Sequence, residues 1–267
     1  MKMKVCILAA VVAAAAMFAG CSSSKAPESQ SASQTESVVE SAADESTAES
    51  AAESSEESSA QPTGEAVDAA WFDDAEFIGD SVTLKLSYYA DNGSLGDAKF
   101  LCAGSLGYNN CLMDIDSEGN VHPDYEGVKY TIFDGSKIIA PKKLFVMLGM
   151  NDIGLYGVDG AADAMVTVLD KLKESCPDTV IYVQSVTPML ENMQLTDLNN
   201  TTIAQFNEKA KVIAEEKGCR WLNVASAFDD GNGNLIPEYC GDPEAMGLHF
   251  SDAGCEVWVD YLKHHVQ

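Results

Sequence analysis

From residue 75 onward the chain alternates short apolar runs with longer stretches of helical period, and few folds accommodate that alternation. The runs fall at 75–79, 99–103, 144–148, 179–185 and 220–224. Leu144-Phe145-Val146-Met147-Leu148 contains no polar residue, which marks a strand buried on both faces. Helices are predicted over 82–90, 158–174 and 200–217. In the last of these Ile203, Phe206, Ala210, Ile213 and Ala214 share one stripe, and Gly218 stops the helix. A final helix over 251–264 can be capped by Ser251. The pattern predicts an α/β fold with a central parallel sheet wrapped by helices. Residues 116–134 are polar with scattered aromatics and read as an insertion or lid beside the site. There is no internal repeat.

The first quarter of the 267 residues does not share this pattern. Residues 1–20 carry Lys2 and Lys4, then an apolar run, then Phe18-Ala19-Gly20 ahead of Cys21. A positive start, a short apolar stretch and small residues before a cut describe a secretory signal peptide. The run is too short for a stable membrane span. Cys21 directly after Ala-Gly resembles a bacterial lipobox, which implies cleavage before Cys21 and lipid on its sulfur. Residues 21–67 are rich in Ser, Ala and Glu and nearly free of large apolar side chains. Such a stretch cannot bury enough surface to offset its chain entropy, and it reads as a disordered, charge-extended tether. The expected product is exported and lipid-anchored to the cell membrane, with the domain at 68–267 facing outside.

From residue 68 on, 13 Lys and Arg stand against 32 Asp and Glu, a net charge near −19. That excludes nucleic acid, or an anionic lipid surface, held by a basic face. The membrane is a partner through the N-terminal lipid only. Six cysteines remain beyond Cys21: Cys102, Cys111, Cys176, Cys219, Cys240 and Cys255. In an exported domain an even number permits three disulfides. Cys176 and Cys219 each follow a predicted helix and precede a predicted strand, so they are the favoured pair. Cys240 and Cys255 flank His249 and could brace its loop. Free buried thiols are the alternative. No Cys-x-x-Cys pair or His-rich cluster suggests a metal, and no cofactor is expected.

Gly79-Asp80-Ser81 sits where the first strand passes into the first helix. A serine there exposes its hydroxyl at the sheet edge and points its own N–H into the same crevice, as an acyl-transfer nucleophile requires. Gly107, Gly149-Met150-Asn151-Asp152 and His249 follow at the carboxyl ends of later strands or in the loop before the last helix, so all converge on one edge. Asn151 suits an oxyanion role because its amide donates without titrating. His264 and His265 lie at the C-terminus and are poor catalytic candidates.

These blocks, with Leu248-His249-Phe250-Ser251 and Gly254, resemble those of the SGNH (GDSL-type) hydrolase family of esterases. The resemblance implies a doubly wound three-layer sandwich of flavodoxin-like type. It implies Ser81 as nucleophile and His249 as general base. It implies an oxyanion hole formed by the N–H groups of Ser81 and Gly107 and the amide of Asn151, with Gly104 a rival to Gly107. One position departs from the family pattern. An Asp usually stands three residues before the histidine, and here that residue is Met246, which cannot accept the Nδ1–H bond. Either Asp242 or Glu244 supplies the carboxylate, or a backbone carbonyl orients a Ser–His dyad, or the domain only binds. The favoured reading is a cell-surface serine esterase that removes a small acyl group, acetyl from carbohydrate above all, from a small-molecule or polysaccharide ester. A lipase or lysophospholipase activity and an impaired ligand-binding lipoprotein are the alternatives.

Overall fold

The computed structural model describes residues 64–266. The expected signal peptide, Cys21 and nearly all of the tether therefore lie outside the described residues. At the start of the described part, the Val67 N–H donates to the Lys263 carbonyl at 2.9 Å.

In chain order the elements are β1 Ala75–Gly79, α1 Ser81–Ala90, β2 Lys99–Cys102 and α2 Tyr108–Cys111. The hairpin β3 Asp124–Tyr125 and β4 Val128–Lys129 follows, then α3 Ile132–Ile139, β5 Lys143–Met147, α4 Met150–Ser175 and β6 Val180–Gln184. The last are α5 Asn200–Glu216, β7 Arg220–Leu222 and α6 Asp252–His265. Five strands form one parallel sheet in the order β2-β1-β5-β6-β7. Helices α3, α4 and α5 pack side by side on one face, while α1 and α6 pack together on the other. The alternation predicts this helix-wrapped parallel sheet, and the doubly wound, three-layer sandwich is the form that the family resemblance implies.

The register places an aromatic row across four neighbouring strands. Phe100, Phe77, Phe145 and Tyr182 are direct partners on β2, β1, β5 and β6. Their rings stack at 5.1, 4.6 and 4.6 Å between centroids. Trp71 closes edge-on over Phe145 and Tyr182, and Phe72 lies tilted against Phe77 and Phe145. Burying each such ring contributes about 1.5–3 kcal/mol, so the row fixes the relative register of the strands that carry the site.

The structure differs from the sequence expectations in four places. Helix α4 begins at Met150, ahead of the predicted start at 158. Gly157, at φ 70°, breaks it into a short first segment and a long second one. Gly154 and Gly157 lower the helix propensity of the first segment, and packing of Met150 and Ile153 into the core holds it instead. The predicted strand over 220–224 shortens to β7 and continues as a 3-10 turn, Val224–Ala227. Residues 116–134 contain the β3–β4 hairpin, which packs beside the edge strand β2 and is closed by local bonds such as Gly127 N–H to Asp124 Oδ1 at 2.8 Å.

Neither the favoured Cys176–Cys219 bridge nor a Cys240–Cys255 brace is present, and the alternative of free thiols holds for all six described cysteines. The Cys176 thiol feels the charges of Glu76 and Lys137, whereas Cys219 feels those of Lys173, Lys217 and Asp170. Cys240 points at Asp242, its Sγ 3.5 Å from Oδ1, and Cys255 is buried in the core and feels the charges of Lys85 and Asp252. Burial holds every one of these thiols above its ordinary value, Cys102 and Cys255 at about 12.

Candidate active site

Three strand ends and one loop build the site. In the sheet order the chain leaves β1 towards β2 on one side and reaches β5 on the other. The carboxyl ends of β1 and β5 therefore flank the switch point at which such sheets bind ligands. Asp80 caps α1, its Oδ1 accepting the Val82 N–H at 2.9 Å, and Ser81 is the first helical residue. The Ser81 N–H is consequently one of the helix donors without an intrahelical acceptor. After β5, Gly149 adopts φ 125°, and a Cβ there would fall 2.6 Å from the Phe206 ring. Only glycine makes this turn, which delivers Asn151 to the edge.

The fourth piece is a loop with a paired neck. The Gly241 N–H donates to the His249 carbonyl at 2.7 Å, Ser251 N–H donates to the Tyr239 carbonyl at 2.8 Å, and Cys240 and Phe250 form an antiparallel bridge. Residues 242–248 are the loop closed by that neck. Asp242 at one side of the neck is therefore a neighbour of His249 at the other. Its Oδ2 lies 2.7 Å from His249 Nδ1, and its Oδ1 accepts the Leu248 and His249 N–H groups, each at 3.1 Å. The loop is braced from outside, since Leu190 N–H donates to the Gly247 carbonyl at 2.8 Å.

His249 Nε2 lies 2.8 Å from Ser81 Oγ. Ser81, His249 and Asp242 thus form one continuous hydrogen-bonded chain. Burial alone would raise the Asp242 carboxyl, but the bonds from the His249 ring and backbone outweigh it and leave the carboxyl below its ordinary value. An ionised Asp242 accepts from Nδ1–H, so Nε2 is free to accept the Ser81 proton. Glu244 is exposed and does not occupy this position, and Met246 is half exposed. The loop neck, rather than distance along the chain, selects Asp242. His122 bonds Asn120, and His265 stacks on Tyr261 at the end of α6.

Gly107 is buried beside this crevice, whereas its rival Gly104 is exposed. Asn151 Nδ2 donates to the Leu106 carbonyl at 2.9 Å and to Asp80 Oδ2 at 3.3 Å. The second bond is long, and it is the one that a substrate oxygen could displace. Two carboxylates that the sequence reading did not assign lie behind these donors. Burial lifts Asp80 to about 6, against the pull of the Val82 N–H and of His249. Asp152 accepts the Tyr108 N–H at 2.8 Å, and the Asn109 N–H and Asn109 Nδ2 at 2.9 Å each. Burial raises its carboxyl too, with the Asn109 and Tyr108 donors opposing. Asp152 stands next to Asn151 in the sequence, and that adjacency was its one visible signal.

Two cavities, about 630 Å³ between Cys111 and Lys171 and about 920 Å³ beside α5, are lined by neither Ser81 nor His249. Among the described residues no cluster of three or more His, Cys, Asp or Glu could hold a metal ion. No described helix is long and apolar enough to cross a membrane.

None of the curated proteins matches the chain in sequence. Solved structures match it in fold. A protein provisionally assigned as a platelet activating factor from Streptococcus pneumonia superposes with a TM-score of 0.55 at 21% identity, over 73% of this chain and 84% of its own. A GDSL-like lipase from Bacteroides thetaiotaomicron superposes with a TM-score of 0.51 at 14% identity, over 71% and 85%. A lipolytic protein assigned to the G-D-S-L family from Desulfitobacterium hafniense gives 0.52 at 17%, over 71% and 97%. The family model of the GDSL-like lipase/acylhydrolases matches residues 77–257, a span that holds Ser81, Gly107, Asn151, Asp242 and His249, and the chain belongs to that family of ester-hydrolysing enzymes.

Proposed function

We propose that the chain hydrolyses esters through Ser81, His249 and Asp242, and that its substrate is a small acyl ester, acetyl on carbohydrate in the first instance. The observation that carries the catalytic part is the unbroken line from Ser81 Oγ through both ring nitrogens of His249 to Asp242. In this reading Ser81 Oγ attacks the ester carbonyl carbon as its proton passes to His249 Nε2. The Ser81 N–H, the Gly107 N–H and Asn151 Nδ2 hold the oxyanion. The C–O bond to the alcohol breaks, and Nε2 returns the proton to the leaving oxygen. A water then repeats the sequence on the acyl-Ser81, releasing the acid and restoring the serine. Asp242 stays ionised throughout and stabilises the imidazolium.

The substrate assignment rests on charge and on the N-terminal sequence. A net charge near −19 on the domain disfavours an anionic ligand, and neutral sugar esters meet no such barrier. Export, with a lipid on Cys21 and the domain outside the membrane, brings extracellular polymers within reach of the tether. A second reading, an ester of a longer apolar acyl chain, is favoured by one feature. Leu155 is 75% exposed and lies one helical turn beyond Asn151, and Met246, 50% exposed, lies in the His249 loop.

Three measurements test these parts separately. Ser81→Ala abolishes hydrolysis of p-nitrophenyl acetate with the fold intact, and a fluorophosphonate labels Ser81; labelling elsewhere sinks the nucleophile assignment. A series of p-nitrophenyl esters shows kcat/KM highest for acetate, and a rise towards octanoate favours the second reading. Cys21→Ser abolishes globomycin-sensitive processing and detergent partitioning, and unchanged fractionation removes the anchor.

A further inference from the structure

We propose that Asp152 is the positioning residue of the oxyanion site: it clasps the turn that carries Gly107 onto the first turn of α4, so that the Gly107 and Asn151 donors are held as one unit. The inference rests on the reading of those two groups as oxyanion donors.

The two donors come from remote parts of the chain. Gly107 belongs to the loop after β2, and Asn151 to the start of α4 after β5. β2 and β5 are not neighbours, because β1 lies between them. The sheet therefore does not fix the distance between the donors, and something above its edge must. The Asp152 carboxylate is 1% exposed and spends both oxygens on the Gly107 turn, taking Tyr108 N–H on Oδ2 and both Asn109 donors on Oδ1. Asn151 itself ties the same loop to the same helix through the Leu106 carbonyl. Two consecutive residues of α4 thus hold residues 106–109 by four hydrogen bonds.

The fit at Gly107 is equally close. A Cβ on that residue would fall 2.6 Å from Asp152 Oδ2 and 2.9 Å from its Cγ. Glycine is required here because the carboxylate occupies the space of a side chain, since φ at Gly107 is an ordinary −143°. The chemistry also selects aspartate over asparagine. All three partners are N–H donors, and an amide NH2 in place of either oxygen would face a donor with a donor. A buried carboxylate so engaged is costly to disturb, and a displacement of about 1 Å at a reacting group can cost up to about 10²-fold in rate.

The test uses the full chain and p-nitrophenyl acetate, with kcat, KM and Tm measured for Asp152→Asn, Asn151→Ala and the double variant. The proposal expects Asp152→Asn to lower kcat by about 10- to 100-fold with KM within about twofold, well below its Tm. It expects the double variant to lose less than the product of the two single losses, because both act on one unit. If Asp152→Asn lowers Tm but leaves kcat unchanged while Asn151→Ala is impaired, the proposal is overturned and the oxyanion reading stands. If Asn151→Ala also keeps its kcat, the reading falls and takes the proposal with it. Should Asp152→Asn fail to fold, Asn109→Leu removes one clasp donor without altering the carboxylate. It is expected to lower kcat several-fold at unchanged KM, and an unchanged kcat overturns the proposal.

Discussion

Asp242 precedes His249 by seven residues, yet its carboxylate is 2.7 Å from the Nδ1 of that ring. The antiparallel neck at residues 239–241 and 249–251 brings the two side chains together across a closed loop. Met246, at the position where the family usually carries the acid, is turned outward and half exposed. In the proposed triad the carboxylate beside the ring therefore comes from seven residues before the histidine rather than three. Asp242→Asn is expected to lower kcat by about 10³–10⁴, since the amide favours the wrong tautomer of the ring. Glu244→Gln is expected to be nearly silent. Met246→Asp should add little, because a second carboxylate beside the first is redundant and repulsive. A silent Asp242→Asn together with an activating Met246→Asp would establish a dyad in place of this arrangement.

Asn151 is expected to act on developing charge rather than on substrate affinity. Its amide already spends one proton on the Leu106 carbonyl, and the other rests on the long bond to Asp80. Asn151→Ala should lower kcat by about 10²–10³ with little change in KM. An unchanged kcat in steady-state assays would remove it from the oxyanion hole.

Some of this arrangement is legible in the sequence, and the boundary has physical causes. Ser81, Asn151 and His249 are readable because each stands just after an apolar run or before a capped helix, and strand–helix order alone sends such positions to one edge. The five-stranded core is readable for the same reason, since Leu144–Leu148 admits no exposed face. Asp242 could only be paired with Glu244 as a candidate, because the neck that separates them depends on backbone bonds between residues 241 and 249. Asp152 and Asn109 stand 43 residues apart, and no local pattern reports a hydrogen bond across that distance. The first segment of α4 was hidden by Gly154 and Gly157, whose weak propensity is overridden by packing.

The six thiols make a prediction about redox behaviour. All are free and held above their ordinary value by burial, which suppresses the reactive thiolate. Added dithiothreitol should leave Tm unchanged. Iodoacetamide should modify the native protein slowly, and the denatured protein at all six positions without prior reduction. Peptide mapping that finds any of the six blocked until reduced would restore the disulfide expectation.

Glu76 sets a pH dependence of stability that is independent of catalysis. It lies within β1 at 0% exposure; Ser136 Oγ–H donates to its Oε1 at 2.8 Å, and its Oε2 has no partner among the described residues. Burial pushes its carboxyl up to about 8, only partly offset by the Ser136 bond. The folded chain therefore binds this proton more tightly than the unfolded chain, whose value is near the ordinary 4.5. The stability contributed by the neutral form is complete below about 4.5, declines as the pH rises, and is lost by about 8. Glu76→Gln keeps a neutral side chain of the same shape at every pH. Relative to the wild type it should change Tm little at pH 4.5 and raise it at pH 9 by roughly 10 °C or more, a gap that opens progressively between those values. Parallel Tm-against-pH curves for the two proteins would show that Glu76 is already ionised in the folded state at neutral pH.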